Sequence, residues 1–313
     1  MLESRKLLVT GCTSQIGWAV LSRYAGTTDL WALSRYSEPG SFDAALALGA
    51  KPARCDPATD SLDKVPPDLD YVLNFAEKPD PGNAGEGLSA NCDSIARLMK
   101  HCRSARAFLH LSTNWVYKPH PDPAHAYREH DDIGSNRGGQ YAPSKTAGEG
   151  AVRGGGLILG LPAIICRANV VYGGAHGRSM IEDAIDHFLA TGEVLVPSEG
   201  RLVLSPLHVE DVADLIEPSL RLAAVPTAVL NWTGDEAVEW EELFAYVGQL
   251  TGRKPAFSRS DMLDGMGGIQ DPSRRRSVAG PVKVGWKEGV RAALERRNMS
   301  VAAAARISGE EGC

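Results

Sequence analysis

Tyr141 and Lys145 stand four residues apart in Tyr141-Ala-Pro-Ser-Lys145, a spacing that puts a phenol and an ammonium on one face of a helix. A phenol ionises near pH 10 and must come down to about 7 to exchange protons efficiently, which takes about 4 kcal/mol. A cation one helical turn away, joined by a second nearby positive charge, is of that size. Upstream, Lys6-Leu-Leu-Val-Thr-Gly11 reads as a short buried strand that ends in a glycine turn, and Gly17 falls where a following helix would pack on it. Such a loop brings backbone N–H groups and a helix N-terminus against a pyrophosphate. Ser14 occupies the place of the usual middle glycine; it is small, and the Thr13 and Ser14 hydroxyls can add donors. Ser112-Thr113 closes another apolar strand, where a hydroxyl points out at the same carboxyl edge.

The elements that must position these groups follow an alternating pattern. Strands are expected at 6–10, 29–35, 52–56, 70–76, 106–112 and 161–167, with helices at 16–24, 42–48, 88–102 and 141–154 between them. Pro143 fits the first turn of its helix, where no N–H is needed. This spacing means βαβ units and a parallel sheet. Beyond Tyr172 the rhythm weakens to helices at 179–191, 209–223, 240–252 and 286–297, with short strands at 194–196 and 201–205. The stretch 229–234 should return to the main sheet. The fold class is α/β: a Rossmann-type doubly wound parallel sheet with a smaller, mostly C-terminal substrate-binding lobe. The dinucleotide-binding domain is placed at 1–173 and the lobe at 174–313, with segments near 206–233 folding back onto the first.

The chain of 313 residues is 43% hydrophobic and 23% charged, with a net charge of −6 and a pI near 5.8. That balance gives no footprint for nucleic acid. The run Arg274-Arg275-Arg276 reads as a solvated loop beside Asp271. No apolar run reaches the ~20 residues of a membrane span. Six cysteines show no CxxC pair or metal-ligand spacing, so no metal is expected. With no recognisable signal peptide, a reduced cytoplasmic setting is the expectation. His208 reads as a packing residue, Trp115 equally as loop packing or a stacking surface, and His176, Met180 and Arg274 as architecture. The end from Asn298 is small and polar enough to fray.

Taken together and in this order, the motifs resemble the extended short-chain dehydrogenase/reductase family, of the NAD-dependent epimerase/dehydratase type. The carriers are Val9-Thr-Gly11 with Gly17, Leu73-Asn-Phe-Ala76, Asn91, Leu111-Ser-Thr113 with Val116-Tyr117, Tyr141-x-x-x-Lys145 with Glu149, Arg167 with Val171-Tyr-Gly173, Leu207-His-Val-Glu-Asp211 and Gly285-Trp286. The resemblance implies Tyr141 as general acid/base, Lys145 as its modulator and a nicotinamide-ribose ligand, and Thr113 as the hydroxyl that holds the reacting oxygen. Asn91 would help position backbone around the site. The implied cofactor set is Gly11, Thr13, Ser14, Gln15, Ile16, Gly17, Ser34, Arg35, Asp56, Phe75, Ala76, Tyr141, Lys145, Ala168 and Val170, with Asp56 beside the adenine.

Departures from the family pattern narrow the expectation. Ser34-Arg35 ends the second strand where an acid would take a ribose 2′-hydroxyl, and Arg35 can pair a 2′-phosphate instead, so NADP(H) is preferred and NAD(H) remains open. Asn114-Trp115 follow Thr113 where dehydratases carry Asp-Glu. Leu204 and Val170 stand where nucleotide-sugar enzymes place an Arg clamp and a contacting Asn. The sequence therefore favours an NADP-dependent oxidoreductase that interconverts a carbonyl and a secondary alcohol by hydride transfer, its substrate a small-molecule carbonyl or alcohol. The alternative is a sugar or nucleotide-sugar epimerase using transient oxidation. Neither nucleic acid nor membrane is an expected partner, and a homodimer is left open.

Overall fold

Leu7, Leu8 and Val9 are fully buried because their strand is paired on both edges and covered on both faces. In the computed structural model, which describes residues 1–135, 137, 139–174 and 179–297, this strand lies inside the main sheet, with β-strand neighbours on both sides. His176 and the stretch from Asn298 lie outside the described residues. The main sheet is seven-stranded and wholly parallel. Its strands are β1 (Lys6–Thr10), β2 (Asp29–Ser34), β3 (Lys51–Arg54), β4 (Tyr71–Asn74), β5 (Ala107–Thr113), β6 (Ala163–Ala168) and β7 (Ala228–Trp232), in the spatial order 3-2-1-4-5-6-7. The order reverses between β1 and β4, and a doubly wound sheet opens its ligand crevice at such a point.

Alternate residues of β1 feed two cores. Leu7 and Val9 pack with helix α1 (Gln15–Tyr24) and, after several further elements, with helix α7 (Val209–Leu220). Leu8 faces the other way, toward Ile95, Leu98 and Met99 of α4 (Ser94–His101) and Val152 of α5 (Tyr141–Leu159). A third apolar cluster, with Phe188, Trp240, Phe244 and Trp286, forms the core of the lobe. It is built from α6 (Met180–Thr191), α8 (Trp240–Thr251) and helical residues 286–297. No described helix is long and apolar enough to cross a membrane. The described cysteines are free, and burial pushes the Cys12 thiol up to about 11 and Cys102 to about 12, as for small apolar core residues.

The structure departs from the sequence pattern in three places. The helix expected over 88–102 begins at α3 (Ala84–Leu88) and passes through a wide π turn at Ser89–Asp93 before α4. Strand Ala256–Ser260 pairs in parallel with Glu193–Pro197 in the lobe, although it is mostly exposed and has no apolar alternation to reveal it. The arginine run is not a solvated loop. It lies in α9 (Ser273–Ala279), and Arg275 is 1% exposed because Asp235 and the Gly280 carbonyl receive its guanidinium.

Helix α5 is glycine-rich on the side that meets the π turn. A Cβ on Gly148 would stand 2.2 Å from the Asn91 carbonyl oxygen, and one on Gly155 2.8 Å from Met99 Sδ. These glycines let α5 approach closely enough to bring its first turn to the sheet edge. Gly150, on the same helix, has open space where its Cβ would be. Gly148→Ala is expected to destabilise by about 1–3 kcal/mol through overpacking. Gly150→Ala should be neutral or stabilising by up to about 1 kcal/mol. Urea unfolding of the two variants checks the contrast, and equal midpoints would show that the contact with Asn91 is not tight.

Candidate active site

The carboxyl edge of the sheet carries a cradle of backbone at the end of β1. Gly11 has φ +61°, and a Cβ there would lie 2.7 Å from Ala76 N and from the Phe75 carbonyl group, so glycine is required. Gly17 is equally constrained, since its Cβ would meet Gly11 O at 2.3 Å. Between them Ser14 caps α1, its hydroxyl accepting from Gly17 N at 3.1 Å. The residue in place of the middle glycine therefore serves the helix start as well as leaving room. Ala76 N donates to Thr10 Oγ1 at 3.1 Å, tying the end of β4 to that of β1. First-turn N–H groups of a helix lack intrahelical partners and favour anions. Close-approaching backbone, a helix N-terminus and flanking hydroxyls fit a dinucleotide pyrophosphate.

Four further segments surround this cradle. Thr113 ends β5, level in register with Ala168 of β6. Its hydroxyl faces the Tyr141 phenol. Lys145 is 1% exposed, and its ammonium donates to Leu111 O at 2.7 Å and to Glu77 Oε2 at 3.0 Å. The Tyr141 hydroxyl donates to that same Glu77 oxygen at 3.0 Å. Burial and the Glu77 carboxylate hold this phenol well above its ordinary pKa of 10. Thus the pair found by spacing is brought together, but around a carboxylate that the spacing gave no sign of. The Trp115 indole stands edge-on to the Tyr141 ring at 5.9 Å, its Nε1 bonded to Met266 O at 3.1 Å.

Buried polar groups fix these positions. Asn91, in the π turn, donates to Ser144 Oγ at 2.9 Å, and Ser144 donates to Tyr141 O at 2.7 Å. Asn91 also grips both backbone groups of Lys78, at 2.8 and 3.0 Å. Below, Glu149 receives Arg167 through two nitrogens at 2.8 and 2.9 Å and Ser112 Oγ at 2.7 Å. Thr10, Asn74 and His110 form a chain under β1, β4 and β5 at 2.6 and 3.0 Å. Asn169 holds the lobe, donating to Gly268 O at 2.9 Å and to Gln270 Oε1 at 3.2 Å.

The remaining residues singled out by sequence are distributed around the same edge. Ser34 Oγ lies 3.1 Å from Thr13 Oγ1, while Arg35 is exposed at the end of β2 and its carbonyl accepts from Arg54. Asp56 receives Ala58 N at 2.9 Å in the turn after β3. Gln15 reaches across to Glu182 of α6 at 3.2 Å, and Glu182 also receives Gly173 N at 2.6 Å. Ile16 and Val170 are partly buried, Val170 against the lobe core. Leu204 is buried in that core and cannot clamp a ligand. His208 caps α7 and packs on Gly173, where a Cβ would strike its ring at 2.1 Å. Glu77, Glu182 and Gln270 had no signal in the sequence. Among the described residues no group of three or more His, Cys, Asp or Glu side chains could hold a metal ion.

Comparison with known proteins places this arrangement. The sequence profile described as the NAD dependent epimerase/dehydratase family matches residues 7–227. A trifunctional UDP-glucose 4,6-dehydratase/UDP-4-keto-6-deoxy-D-glucose 3,5-epimerase/UDP-4-keto-L-rhamnose-reductase of Arabidopsis thaliana is 29% identical over 157 residues, 48% of this chain and 23% of that protein. This chain thus matches only about a quarter of the length of such curated relatives. Among solved structures, UDP-glucuronic acid 4-epimerase from Bacillus cereus, in complex with a fluorinated UDP-glucuronic acid and NAD, is 18% identical with TM-score 0.80, covering 93% of this chain and 98% of that one. MoeE5 in complex with UDP-glucose and NAD is 22% identical with TM-score 0.79, at 95% and 99% coverage. UDP-N-acetylglucosamine 4-epimerase from Methanobrevibacter ruminantium, in complex with UDP-N-acetylmuramic acid, is 15% identical with TM-score 0.79, at 94% and 98% coverage. These structural likenesses are likenesses of fold.

The buried His110 generates a pH prediction. Burial and the nearby Lys145 charge hold its pKa well below 6.5, and burial lowers His208 in the same direction. Below about pH 6.5 the unfolded chain takes up protons that the folded chain refuses, so stability falls with pH, by up to about 1.4 kcal/mol per unit for each such histidine. Urea unfolding between pH 7.5 and 5 should show this loss, with a shallower slope in His110→Asn. An unchanged slope in the variant would mean that His110 is protonated in the folded protein.

Proposed function

The chain belongs to the NAD dependent epimerase/dehydratase family, and from that premise we propose that it acts on a secondary carbinol of a nucleotide sugar as an epimerase working by transient oxidation. The observation that carries this reading is the convergence of the Tyr141 hydroxyl and the Lys145 ammonium, each 3.0 Å from a single oxygen atom, Glu77 Oε2, next to the Ala76 that borders Gly11. Nucleotide sugars bound in proteins that match nearly the whole chain in fold support the substrate class. Asn114 favours epimerase over dehydratase, since a carboxamide cannot deliver the proton that expulsion of a hydroxyl requires.

When bound, the nicotinamide supplies the hydride acceptor and donor. Gly11, Gly17 and the first turn of α1 would hold its pyrophosphate, with Phe75 and Ala76 on the adenosine side and Lys145 at the ribose. Thr113 holds the carbinol oxygen against Tyr141. Tyr141 takes the carbinol proton as the carbonyl forms and returns it when the carbinol is restored. Lys145, anchored by Leu111 O, presents a fixed charge to the phenol, and the arrangement works by positioning and charge stabilisation. Trp115 closes the side of Tyr141 toward Met266 and limits water there.

One observation favours a second reading. The burial of Leu204 removes the usual seat of a diphosphate-clamping arginine, which suits a smaller carbonyl or alcohol with net hydride transfer. The test is incubation with NAD or NADP and a panel of UDP- and dTDP-hexoses, followed by NMR. Isomerisation without net absorbance change at 340 nm is expected; net NADPH consumption with simple ketones and no isomerisation would replace the epimerase reading with the second. Tyr141→Phe should keep cofactor affinity and lower turnover by about 10²-fold or more, and turnover within a few-fold of the parent would remove Tyr141 from the chemistry.

Cofactor choice is the remaining element of the proposal. No acid stands at 34 or 35, and the exposed Arg35 guanidinium with Thr13 and Ser34 offers donors suited to a 2′-phosphate. Binding titrations should give tighter NADPH than NADH, with the preference reduced about ten- to a hundredfold in Arg35→Ala. Equal or tighter NADH binding by the parent would rule the preference out.

A further inference from the structure

Glu77 is the acidic group that touches both members of the acid–base pair, and the reaction as derived makes no use of it. Its Oε2 accepts from Tyr141 and from Lys145 at 3.0 Å each, across a sequence gap of 64 and 68 residues. The side chain is 30% exposed, so it has a way out to solvent. Its backbone has none: the next residue, Lys78, is held by Asn91 through both its N–H and its carbonyl. The Lys78 ammonium is engaged elsewhere, by Glu86 at 2.5 Å. Glu77 is therefore a carboxylate on a fixed stem, with a side chain that can swing between the site and water.

We propose that Glu77 is a positioning residue that holds the Tyr141–Lys145 pair idle until an oxygen of the bound cofactor or substrate takes the place of its carboxylate. The inference rests on the reading of Tyr141 as acid/base. While Glu77 is seated, it receives the phenolic hydrogen and cancels the Lys145 charge that would otherwise favour phenolate. Once it is displaced, the phenol faces the Lys145 ammonium from its own helix, the Thr113 hydroxyl from the end of β5 and the Trp115 ring. The nearby His110 imidazole on β5 is neutral and adds no charge. Activation of the phenol is then coupled to occupation of the site, and an empty enzyme keeps its proton donor protonated.

The test compares the parent with Glu77→Gln, which keeps size and hydrogen bonding but removes the charge, and with Glu77→Ala as a second variant. NAD is titrated into each calorimetrically. In the absence of NAD, tyrosinate absorbance is followed against pH, and Tyr141 is isolated by subtracting the trace of Tyr141→Phe. Both variants should bind NAD about three- to tenfold more tightly, because no ion pair has to open. The Tyr141 titration should move down by about one pH unit or more, a tenfold change in ionisation. Unchanged affinity and titration, or weaker NAD binding in both variants, would overturn the proposal. Full turnover by Tyr141→Phe would instead overturn the acid–base reading and leave the binding result to stand separately.

Discussion

A nearly inaccessible ammonium is the constraint to which the site answers. Burying an unpaired cation costs several kcal/mol, so Lys145 can sit at 1% exposure only if oxygen atoms are brought to it. One is the Leu111 carbonyl, near the carboxyl end of β5; the other is the Glu77 carboxylate, just past β4. One comes from a strand and the other from the loop that follows a strand, while the lysine comes from α5, so helix and sheet must meet at one height and one distance. The small residues of α5 permit that approach, and the π turn at Asn91 supplies the surface that α5 packs against. The placement of the Tyr141 phenol follows, since it lies one turn earlier on the same helix.

A second buried ion pair does the corresponding work one layer down. Arg167 on β6 and Glu149 on α5 bond through two nitrogens, and Ser112 adds a third bond from β5. Removing one partner of such a pair typically costs 3–5 kcal/mol, because the other charge is left buried and alone. The helix is thereby tied to two strands below the site as well as at it. On the far side, Asn169 and Gln270 tie the lobe to the ends of β6 and β7, with Gln270 donating to the Arg167 carbonyl and to Asn231. The loop bearing Met266 and Gly268 is fixed in the same way, and with it the indole of Trp115.

The features legible in the sequence are those whose signal is local. The alternation of short apolar strands with helices gave the doubly wound sheet, and a four-residue spacing gave the Tyr141–Lys145 face. The glycines at 11 and 17 announced a close approach that the structure places at the ends of β1 and β4. What stayed hidden depends on pairing between distant segments. Glu77 follows an ordinary apolar strand, and only folding sets it against residues more than sixty positions away. Arg275 belongs to a basic run that reads as solvated until Asp235 is seen beside it. Strand Ala256–Ser260 has its partner but no apolar pattern. The leading expectation of a small carbonyl substrate came from two departures, Leu204 and Val170. The family and the fold likenesses lend more support to the nucleotide-sugar alternative, and the buried Leu204 keeps the first in view.

The central proposal is that hydride leaves a carbinol and returns to the same sugar beside Tyr141. The most direct measurement uses a UDP-hexose deuterated at that carbinol carbon, incubated with enzyme and whichever of NAD and NADP it binds more tightly, and followed by stopped-flow absorbance at 340 nm and by mass spectrometry of the product. The account predicts a transient rise at 340 nm and an epimer that retains its deuterium. An epimer formed with loss of deuterium to solvent, or one formed unchanged in rate and yield when that cofactor is withheld from cofactor-free enzyme, would contradict it.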